Sequence, residues 1–426
     1  MTDKTQFLTL PNGLTIHLKE IHTAPIISTW IWYKVGSRNE ILGKTGISHW
    51  VEHMQFKGTE KFPSGYLDRE ISKTGGIWNA MTYLDWTTYF TTLPAHAADI
   101  SLEMEADRMV NSRFDVDEVE RERTVIISER EGNENQPHFL LGEAVQDAAF
   151  ASHPYKYEVI GLKDDLREIT AEYLKSHYQQ YYQPGNAVLA IAGDFESETM
   201  LGKIEEHFNK IPQGSPESPE IQQEPPLGGE KRVHVTGPGE TSYIQIAYRA
   251  PSASTPDFLT LTVLDSLLTG PSSLNMFGPG GTSNKTSRLY RALVEAEISV
   301  SCHGALQATR DPYLYGIHLT VHPEHAPEDV LEAVDAEIAN LLETPVTQVE
   351  IDRAIKQAKA LFAYSSENIT NQAFWLGYTE MFDHYDWFEN YVDNLSRVSP
   401  KEVMETARTY LSPDNRVVGF YTPQES

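Results

Sequence analysis

The stretch His49-Trp50-Val51-Glu52-His53 places two histidines four residues apart, with a glutamate between them. On a helix, residues four apart lie on one face about one turn from each other, so both imidazoles can reach one metal ion. Glu52 projects near the same face and can contact a water molecule on that metal. With 15 histidines in 426 residues, chance gives roughly a few such matches per hundred chains. The order inverts the His-Glu-x-x-His signature, and it predicts a helix that carries a catalytic zinc site.

The length and composition indicate a globular protein of two or more domains. Hydrophobic residues make up 40% and charged residues 22% of the 426 residues. The formal net charge of −27 disfavours nucleic acid and anionic membranes as partners, because both are polyanions. No apolar run is long enough to span a membrane, and the first residues do not resemble a signal peptide. A cytoplasmic location is therefore the default expectation, although a chain whose leader had been removed would look the same.

The pattern around the motif predicts short strands that alternate with helices. Pro11-Asn12-Gly13 is a turn signal, and Ser48 is a predicted cap for the motif helix. Strands are predicted over 14–18, 26–35, 77–82, 86–90 and 186–192. Helices are predicted over 66–73, 97–109, 116–131 and 164–178.

The charged helix predicted over 116–131 carries two candidates for a third metal ligand. Glu122 and Glu129 are seven residues apart, which is two turns, and therefore share a face. Either carboxylate, together with two imidazoles, would leave a fourth position open for water, as catalytic zinc requires. Glutamates on such a charged helix are more often solvated than ligating. The residues alone leave both candidates open.

A proline-rich segment divides the chain into two similar halves. Residues 212–231 combine five prolines at positions 212, 216, 219, 225 and 226 with Glu, Gln and Ser, a composition typical of an extended, solvated linker. The motif Tyr181-x-x-Pro184-x-Asn186 recurs in the second half as Tyr410-x-x-Pro413-x-Asn415. The sequence therefore predicts two homologous domains over 1–211 and 232–426.

The second half lacks a counterpart of the metal-binding motif. At an offset of 230 residues, Glu122 and Glu129 correspond to Asp352 and Lys359, and no His-x-x-Glu-His occurs there. In place of the motif helix stands a glycine-rich stretch over 270–281. It lacks the strand-loop-helix context and the Lys-Ser/Thr pair of a phosphate-binding loop, which excludes nucleotide binding. The second domain is predicted to keep the scaffold without the zinc site.

Taken together, the chain resembles the M16, or pitrilysin-like, zinc peptidases, above all the short bacterial members and the mitochondrial processing peptidase subunits. The resemblance covers nearly the whole chain. Its most specific stretches are 49–59, 75–80, 120–129, 153–161 and 181–186. It implies an α+β fold of two homologous domains, each a mostly antiparallel sheet covered by helices, which together form half of a clamshell.

The resemblance also implies a role for each candidate site residue. Glu129 matches the third ligand of the family, so one Zn²⁺ per chain would be held by His49, His53 and Glu129. Glu122 matches a glutamate that lies behind the ligands and supports them. Glu52 matches the general base.

The activity implied by the resemblance is zinc-dependent endopeptidase cleavage of short or unfolded peptides. Metal-activated water would attack the peptide bond, with Glu52 as the general base. The peptide would add as a strand along the sheet edge formed by Trp78, Asn79, Ala80 and Met81. The alternative is a non-catalytic peptide-binding or structural subunit of a larger M16-type complex, but such subunits typically lose the ligands retained here. A metal-storage role would not need Glu52.

One departure from the family pattern concerns the second half. Peptidases of the family generally carry an Arg and a Tyr there, and the corresponding positions are Val294 and Ser301. Arg288 and Tyr290 belong to a stretch upstream and are interpreted as structural. The chain is therefore predicted to be the zinc-bearing half of a heterodimer whose paralogous subunit supplies the Arg/Tyr pair. A homodimer is the alternative, because the glycine-rich stretch resembles the one used for substrate handling in the processing peptidase.

Overall fold

The computed structural model describes residues 5–216, 219–276 and 283–424. The strands are β1 (Thr5–Thr9), β2 (Thr15–Glu20), β3 (Ile26–Tyr33), β4 (Ile77–Thr82), β5 (Thr87–Pro94), β6 (Ala187–Gly193), β7 (Lys231–Gly237), β8 (Tyr243–Arg249), β9 (Ser299–Leu306), β10 (Leu314–Val321) and β11 (Arg416–Pro423). The helices are α1 (Ile47–Gln55), α2 (Tyr66–Thr74), α3 (Ala98–Asn111), α4 (Val116–Asn133), α5 (Pro137–Ala149), α6 (Lys163–Glu168), α7 (Ala171–Tyr181), α8 (Ser197–Phe208), α9 (Pro256–Leu268), α10 (Pro327–Glu343), α11 (Gln348–Tyr364), α12 (Ile369–Tyr378), α13 (Tyr385–Arg397) and α14 (Pro400–Tyr410). None of these helices combines the length and the apolar composition needed to cross a membrane.

The chain folds into two compact units, and neither is contiguous in sequence. Unit 1 consists of Met1–Arg130, Tyr157–Ile221 and Ser366–Tyr385. Unit 2 consists of Glu131–Lys156, Gln222–Ser365 and Asp386–Ser426. Helix α5 therefore belongs to unit 2 although it lies in the N-terminal half of the sequence, and α12 belongs to unit 1. The domain bounds 1–211 and 232–426 stay a prediction. We call α5 and α12 the exchanged helices, because each belongs to the unit formed mostly by the other half of the sequence.

Unit 1 contains a six-stranded sheet in the order β1-β2-β6-β3-β5-β4. Only β2 and β6 pair in parallel, and every other neighbouring pair is antiparallel. Strand β4 pairs with β5 and ends the sheet, with Ala80 directly opposite Tyr89. The predicted edge strand is therefore an edge strand of the described structure.

One face of this sheet is covered by the exchanged helix α12. The ring of Trp30 on β3 stacks on Phe90 at 4.2 Å between centroids and meets Phe374 of α12 edge-on at 5.4 Å. Gly377 lies so close to Trp32 that an added Cβ would be 2.2 Å from the indole ring. These aromatic contacts bury a large apolar area, which is the main source of stability for such a layer.

Unit 2 contains a five-stranded sheet in the order β7-β11-β8-β10-β9. Its pairing directions repeat those of β2-β6-β3-β5-β4, with β7 and β11 as the parallel pair. Helix α5 packs on it, with Leu141 and Val145 against Gly419 of β11. The predicted α+β fold with two mostly antiparallel sheets is confirmed. Residues 277–281 of the glycine-rich stretch lie outside the described residues.

The predicted cap of the motif helix is wrong. Helix α1 begins at Ile47, after Gly46 with φ = 85°, so Ser48 lies inside the first turn. The carboxylate of Glu40 caps the helix instead, accepting hydrogen bonds from the backbone N–H groups of Gly46 at 2.7 Å and Ser48 at 2.8 Å. A cap from eight residues upstream is not part of the local pattern that predicts helix starts.

The single helix predicted over 164–178 is two helices, α6 and α7. Ile169 and Thr170 between them have extended backbone conformations. The side chain of Thr170 accepts a hydrogen bond from the N–H of Tyr173 at 3.3 Å and so begins the second helix. The apolar pattern continues across the break because only two residues interrupt it.

In the predicted linker 212–231, the described residues up to 230 form no helix or strand and are mostly exposed, and the last residue, Lys231, begins β7. Glu224 is an exception. Its carboxylate accepts hydrogen bonds from the N–H groups of Ala151, Ser152 and His153 and forms an ion pair with Arg249 at 3.2 Å. Burial raises the pKa of Glu224, but these contacts outweigh it and lower the pKa to about 2. This carboxylate anchors the linker to unit 2.

Candidate metal centre

Helices α1 and α4 of unit 1 bring the three predicted ligands together. Nε2 of His49 is 3.8 Å from Oε1 of Glu129, and Nε2 of His53 is 3.5 Å from Oε2 of the same carboxylate. One ligand atom from each residue lies within 4.8 Å of the other two. In the described parts of the chain, no other trio of histidine, cysteine or carboxylate side chains comes so close.

The chemistry of these donors fits a zinc ion. Burial, together with the charge of His53, lowers the pKa of His49 to about 3, so its imidazole is neutral at neutral pH. A neutral imidazole has the free lone pair that metal binding requires. Nδ1 of His49 is buried without a hydrogen-bond partner among the described residues. The side chain of Glu129 is 42% exposed, so the site is open on the carboxylate side. Two imidazoles and one carboxylate are a ligand set of catalytic zinc sites.

Glu122 lies behind the ligands and contacts only one of them. Nδ1 of His53 donates a hydrogen bond of 2.8 Å to Oε1 of Glu122, and Nζ of Lys57 contacts the other oxygen. Burial alone would raise the pKa of Glu122, but His53 and Lys57 lower it. The hydrogen bond fixes the proton of His53 on Nδ1 and leaves Nε2 facing Glu129. The geometry thus distinguishes the two glutamates that the sequence alone left open.

Glu52 is buried beside the trio, with only 8% of its surface exposed. The hydroxyl of Thr82 donates a hydrogen bond of 2.6 Å to Oε2 of Glu52. Burial raises the pKa of Glu52 to about 7, against the opposing effect of this hydrogen bond. A carboxylate with a pKa near neutrality can both accept and release a proton under physiological conditions. Because Thr82 is the last residue of β4, this hydrogen bond connects the Glu52 carboxylate directly to the edge strand of the sheet.

The four predicted substrate-binding residues lie in the middle of β4. These residues are Trp78, Asn79, Ala80 and Met81. Asn79 is exposed and the other three are half-buried. The indole Nε1 of Trp78 donates a hydrogen bond of 3.0 Å to Asp68. One side of β4 pairs with β5, and its other side pairs with no strand of the described residues, so an extended peptide can add there. Their role in binding stays a prediction.

The positions that correspond to the missing Arg/Tyr pair lie in unit 2. Val294 ends a short π-helical turn that begins at Tyr290, and Ser301 is part of β9. Arg288, interpreted as structural, contacts Glu337 at 3.3 Å and Glu350 at 2.8 Å. These ion pairs within unit 2 are consistent with that interpretation.

Sequence reasoning missed one buried pair in unit 1, Glu105 and Arg108 on α3. Both side chains are almost completely buried, at 2% and 3% exposure. The available signal was an acidic and a basic residue three positions apart on a predicted helix. Such pairs are usually solvated, which is why the spacing alone did not indicate a buried one.

Two family models match this chain. The model described as "Insulinase (Peptidase family M16)" matches residues 15–163, and "Peptidase M16 inactive domain" matches residues 168–358. The chain belongs to the M16 peptidase family. The description of the second model agrees with the absence of a metal-binding motif from the second half.

Similar proteins carry zinc protease and peptidase names. "Zinc protease PqqE" of Helicobacter pylori is 29% identical over 375 residues, which are 87% of this chain and 82% of that protein. A "Probable mitochondrial-processing peptidase subunit beta" of Arabidopsis thaliana is 26% identical over 360 residues, 84% of this chain and 66% of that protein. Among solved structures, a protease from Helicobacter pylori superimposes with a TM-score of 0.91 at 26% identity, covering 99% of this chain and 100% of that one. The molecule is therefore a member of the M16 family and is similar to proteins named as zinc proteases.

Proposed function

We propose that this chain is a catalytic zinc endopeptidase that hydrolyses peptide bonds in short or unfolded peptides. The observation that carries the proposal is the position of Glu52, buried against the His49, His53 and Glu129 trio and with a raised pKa. The names of the relatives, which include zinc proteases, support the same reaction class. A non-catalytic subunit of a larger complex would not need this arrangement.

The mechanism follows from what each side chain can do. A zinc ion held by His49, His53 and Glu129 would act as a Lewis acid toward a water molecule and the peptide carbonyl. Glu52 accepts a proton from the attacking water and delivers it to the leaving nitrogen. The Thr82 hydrogen bond holds the Glu52 carboxylate in one orientation while burial keeps it basic.

The open side of β4 explains why the proposed substrates are unfolded. A peptide that adds to a sheet edge must be extended, because its backbone makes the hydrogen bonds of a new strand. Such pairing gives affinity with weak sequence preference. Since Thr82 ends β4 and also contacts Glu52, a peptide bound along β4 would lie beside the proton acceptor.

The proposed active form is a heterodimer with a paralogous subunit that supplies an Arg and a Tyr. Support comes from Val294 and Ser301 at the corresponding positions, and from relatives named as processing peptidase subunits. A homodimer is the alternative. The mass of the purified chain in solution and peptide cleavage with and without the paralogue separate the two. Full activity of the chain as a lone homodimer would contradict the heterodimer.

The decisive experiment for the function is Glu52→Gln, with zinc content and peptide cleavage measured on the same preparation. Removing the general base should reduce kcat by about 10²–10⁴-fold, while zinc stays bound because no ligand changes. Glu198→Gln, on the exposed surface of α8, is the matched control and should change neither quantity. Unchanged cleavage by Glu52→Gln would refute the mechanism. Peptide binding without cleavage by the wild-type chain, even in the presence of the paralogous subunit, would favour the non-catalytic alternative.

A further inference from the structure

The ion pair between Glu105 and Arg108 on α3 is buried in unit 1 near the substrate-binding strand. Arg108 donates hydrogen bonds from Nε to Oε2 of Glu105 at 2.9 Å and from Nη2 to Oε1 at 2.5 Å. Burying two charges carries a large desolvation cost, and apolar residues of similar volume often stabilise a core equally well. Stability alone therefore explains this pair poorly.

The guanidinium of Arg108 lies against aromatic rings. Its Cζ is 4.2 Å from the ring centroid of Tyr89 and 5.7 Å from that of Trp78. The third nitrogen, Nη1, is buried and has no hydrogen-bond partner among the described residues. The guanidinium therefore uses one edge for Glu105, while its central carbon lies over the ring of Tyr89 and, at a longer distance, over that of Trp78, both within the range of a cation–π contact.

These rings belong to the elements that form the proposed active site. Trp78 lies on β4, and Tyr89 lies on β5 directly opposite Ala80. Phe56, the residue that directly follows α1, is 4.7 Å from Trp78 and 6.4 Å from Tyr89 between ring centroids. The aromatic cluster (Phe56, Trp78 and Tyr89) thus joins the helix that carries Glu52 to the strand that would receive the peptide.

We propose that Arg108 is a positioning residue for peptide binding, because it holds Trp78 and Tyr89 and so fixes β4 relative to α1. It contacts neither the peptide nor the metal and acts only through the two rings. This inference rests on the proposed function, since it takes β4 as the peptide-binding edge. The planar shape of the guanidinium is the essential property, because an ammonium group cannot pair with Glu105 through two parallel hydrogen bonds and also cover the rings.

The first test is Arg108→Lys, which keeps a positive charge for Glu105 but loses the planar group. KM for an unstructured peptide should rise about tenfold, with kcat changed by less than about twofold and with zinc retained. Arg121→Lys is the matched control, because Arg121 forms the same kind of pair with Glu118 three positions away but lies exposed on α4. An unchanged KM in Arg108→Lys would overturn the inference and reduce the role of Arg108 to neutralising Glu105.

A second variant keeps the test valid if Arg108→Lys does not fold. The double substitution Glu105→Leu/Arg108→Met removes both charges at similar volume, a change that buried ion pairs often tolerate. We expect this variant to fold and to bind zinc. Its KM should show the same tenfold rise, which is about the effect of losing one desolvated cation–π contact. Wild-type KM in this variant would overturn the inference.

A binding measurement separates this inference from the proposed function. Fluorescence anisotropy gives the Kd of a fluorescein-labelled, unstructured peptide for Glu52→Gln and for Glu52→Gln/Arg108→Lys. If the wild-type chain cleaves nothing, alone or together with the paralogous subunit, the proposed function fails, yet weaker binding caused by Arg108→Lys still supports the positioning role. If the wild-type chain cleaves normally and the two Kd values agree, only the positioning role is overturned.

Discussion

The two units share an order of five strands, yet a buried carboxylate has different hydrogen-bond partners in each of them. In unit 1, Glu52 is held by Thr82 alone among the described side chains, and burial raises its pKa to about 7. In unit 2, Asp265 on α9 accepts hydrogen bonds from three hydroxyl groups, those of Thr269, Ser272 and Tyr315. Burial raises the pKa of Asp265 as well, against the opposing effect of these hydrogen bonds. The two carboxylates therefore differ in their neighbours, because hydroxyl donors surround Asp265 whereas Glu52 lies beside His53 and Glu129 of the metal-binding trio.

The comparison shows that the same arrangement of strands and helices can be present with or without the residues that would bind a metal. Strand order and pairing directions repeat between the units, and α4 and α11 correspond at an offset of 230 residues. On α4 the two corresponding positions are Glu122 and Glu129, and on α11 they are Asp352 and Lys359. Replacing one carboxylate by an ammonium group is enough to exclude a cation at that position, because like charges repel.

The largest effect should come from breaking the metal-binding position in unit 1. Glu129→Gln removes one of three ligands, so zinc affinity should fall more than about 100-fold, beyond the loss typical of a supporting residue. The corresponding change in unit 2, Lys359→Gln, should leave zinc affinity unchanged. Competition with a chromophoric chelator, followed by metal analysis, measures both. Equal losses in the two variants would show that the units are not distinguished by this position.

A smaller effect on the same site should come from Glu122→Gln. The amide can still accept a hydrogen bond from His53, but it loses the charge that polarises the imidazole and pairs with Lys57. Zinc affinity should fall about 10–100-fold, the range for residues that orient a metal ligand. Asp352→Asn in unit 2 is the matched control. Wild-type affinity in Glu122→Gln would mean that Glu122 only fills space behind His53.

The smallest effect concerns stability, through the exchanged helix α12. In Gly377→Ala the new methyl group would lie 2.2 Å from the Trp32 ring, so the free energy of unfolding should decrease by about 1–3 kcal/mol. Gly202→Ala on α8 is the control, because nothing lies within 4 Å of its added Cβ. There the better helix propensity of alanine should stabilise the protein by about 0.5–1 kcal/mol. Denaturant unfolding measures both, and equal midpoints would show that α12 does not pack tightly on Trp32.

Local spacing predicted much of the fold and the centre of the site. The i, i+4 spacing of His49 and His53 requires no information beyond the helix itself. Strand β4 was predicted with its observed bounds, because β-branched and aromatic residues between Gly75-Gly76 and Asp85 mark it clearly. The prediction that Glu129 on α4 shares a metal with the histidines on α1 required the family resemblance, because the spacing along α4 could not distinguish Glu129 from Glu122.

The features that were not predicted depend on contacts between residues far apart in sequence, or on charged residues that are buried although such residues are usually exposed. Glu40 caps α1 from outside the local window, so Ser48 was given its role. The burial of Glu105 and Arg108 was not predicted, because charged side chains are seldom fully buried. The exchange of α5 and α12 could not be predicted either, because an apolar helix face does not encode which sheet it will cover.

Because α5 belongs to unit 2 and α12 to unit 1, each half of the sequence contributes one helix to the unit formed mostly by the other half. A cut within 212–231 would yield an N-terminal fragment without α12, leaving Trp30 and Trp32 of its own sheet uncovered, and a C-terminal fragment without α5. Each fragment would carry the helix that completes the other. The two halves of the sequence therefore do not correspond to two independent folding units.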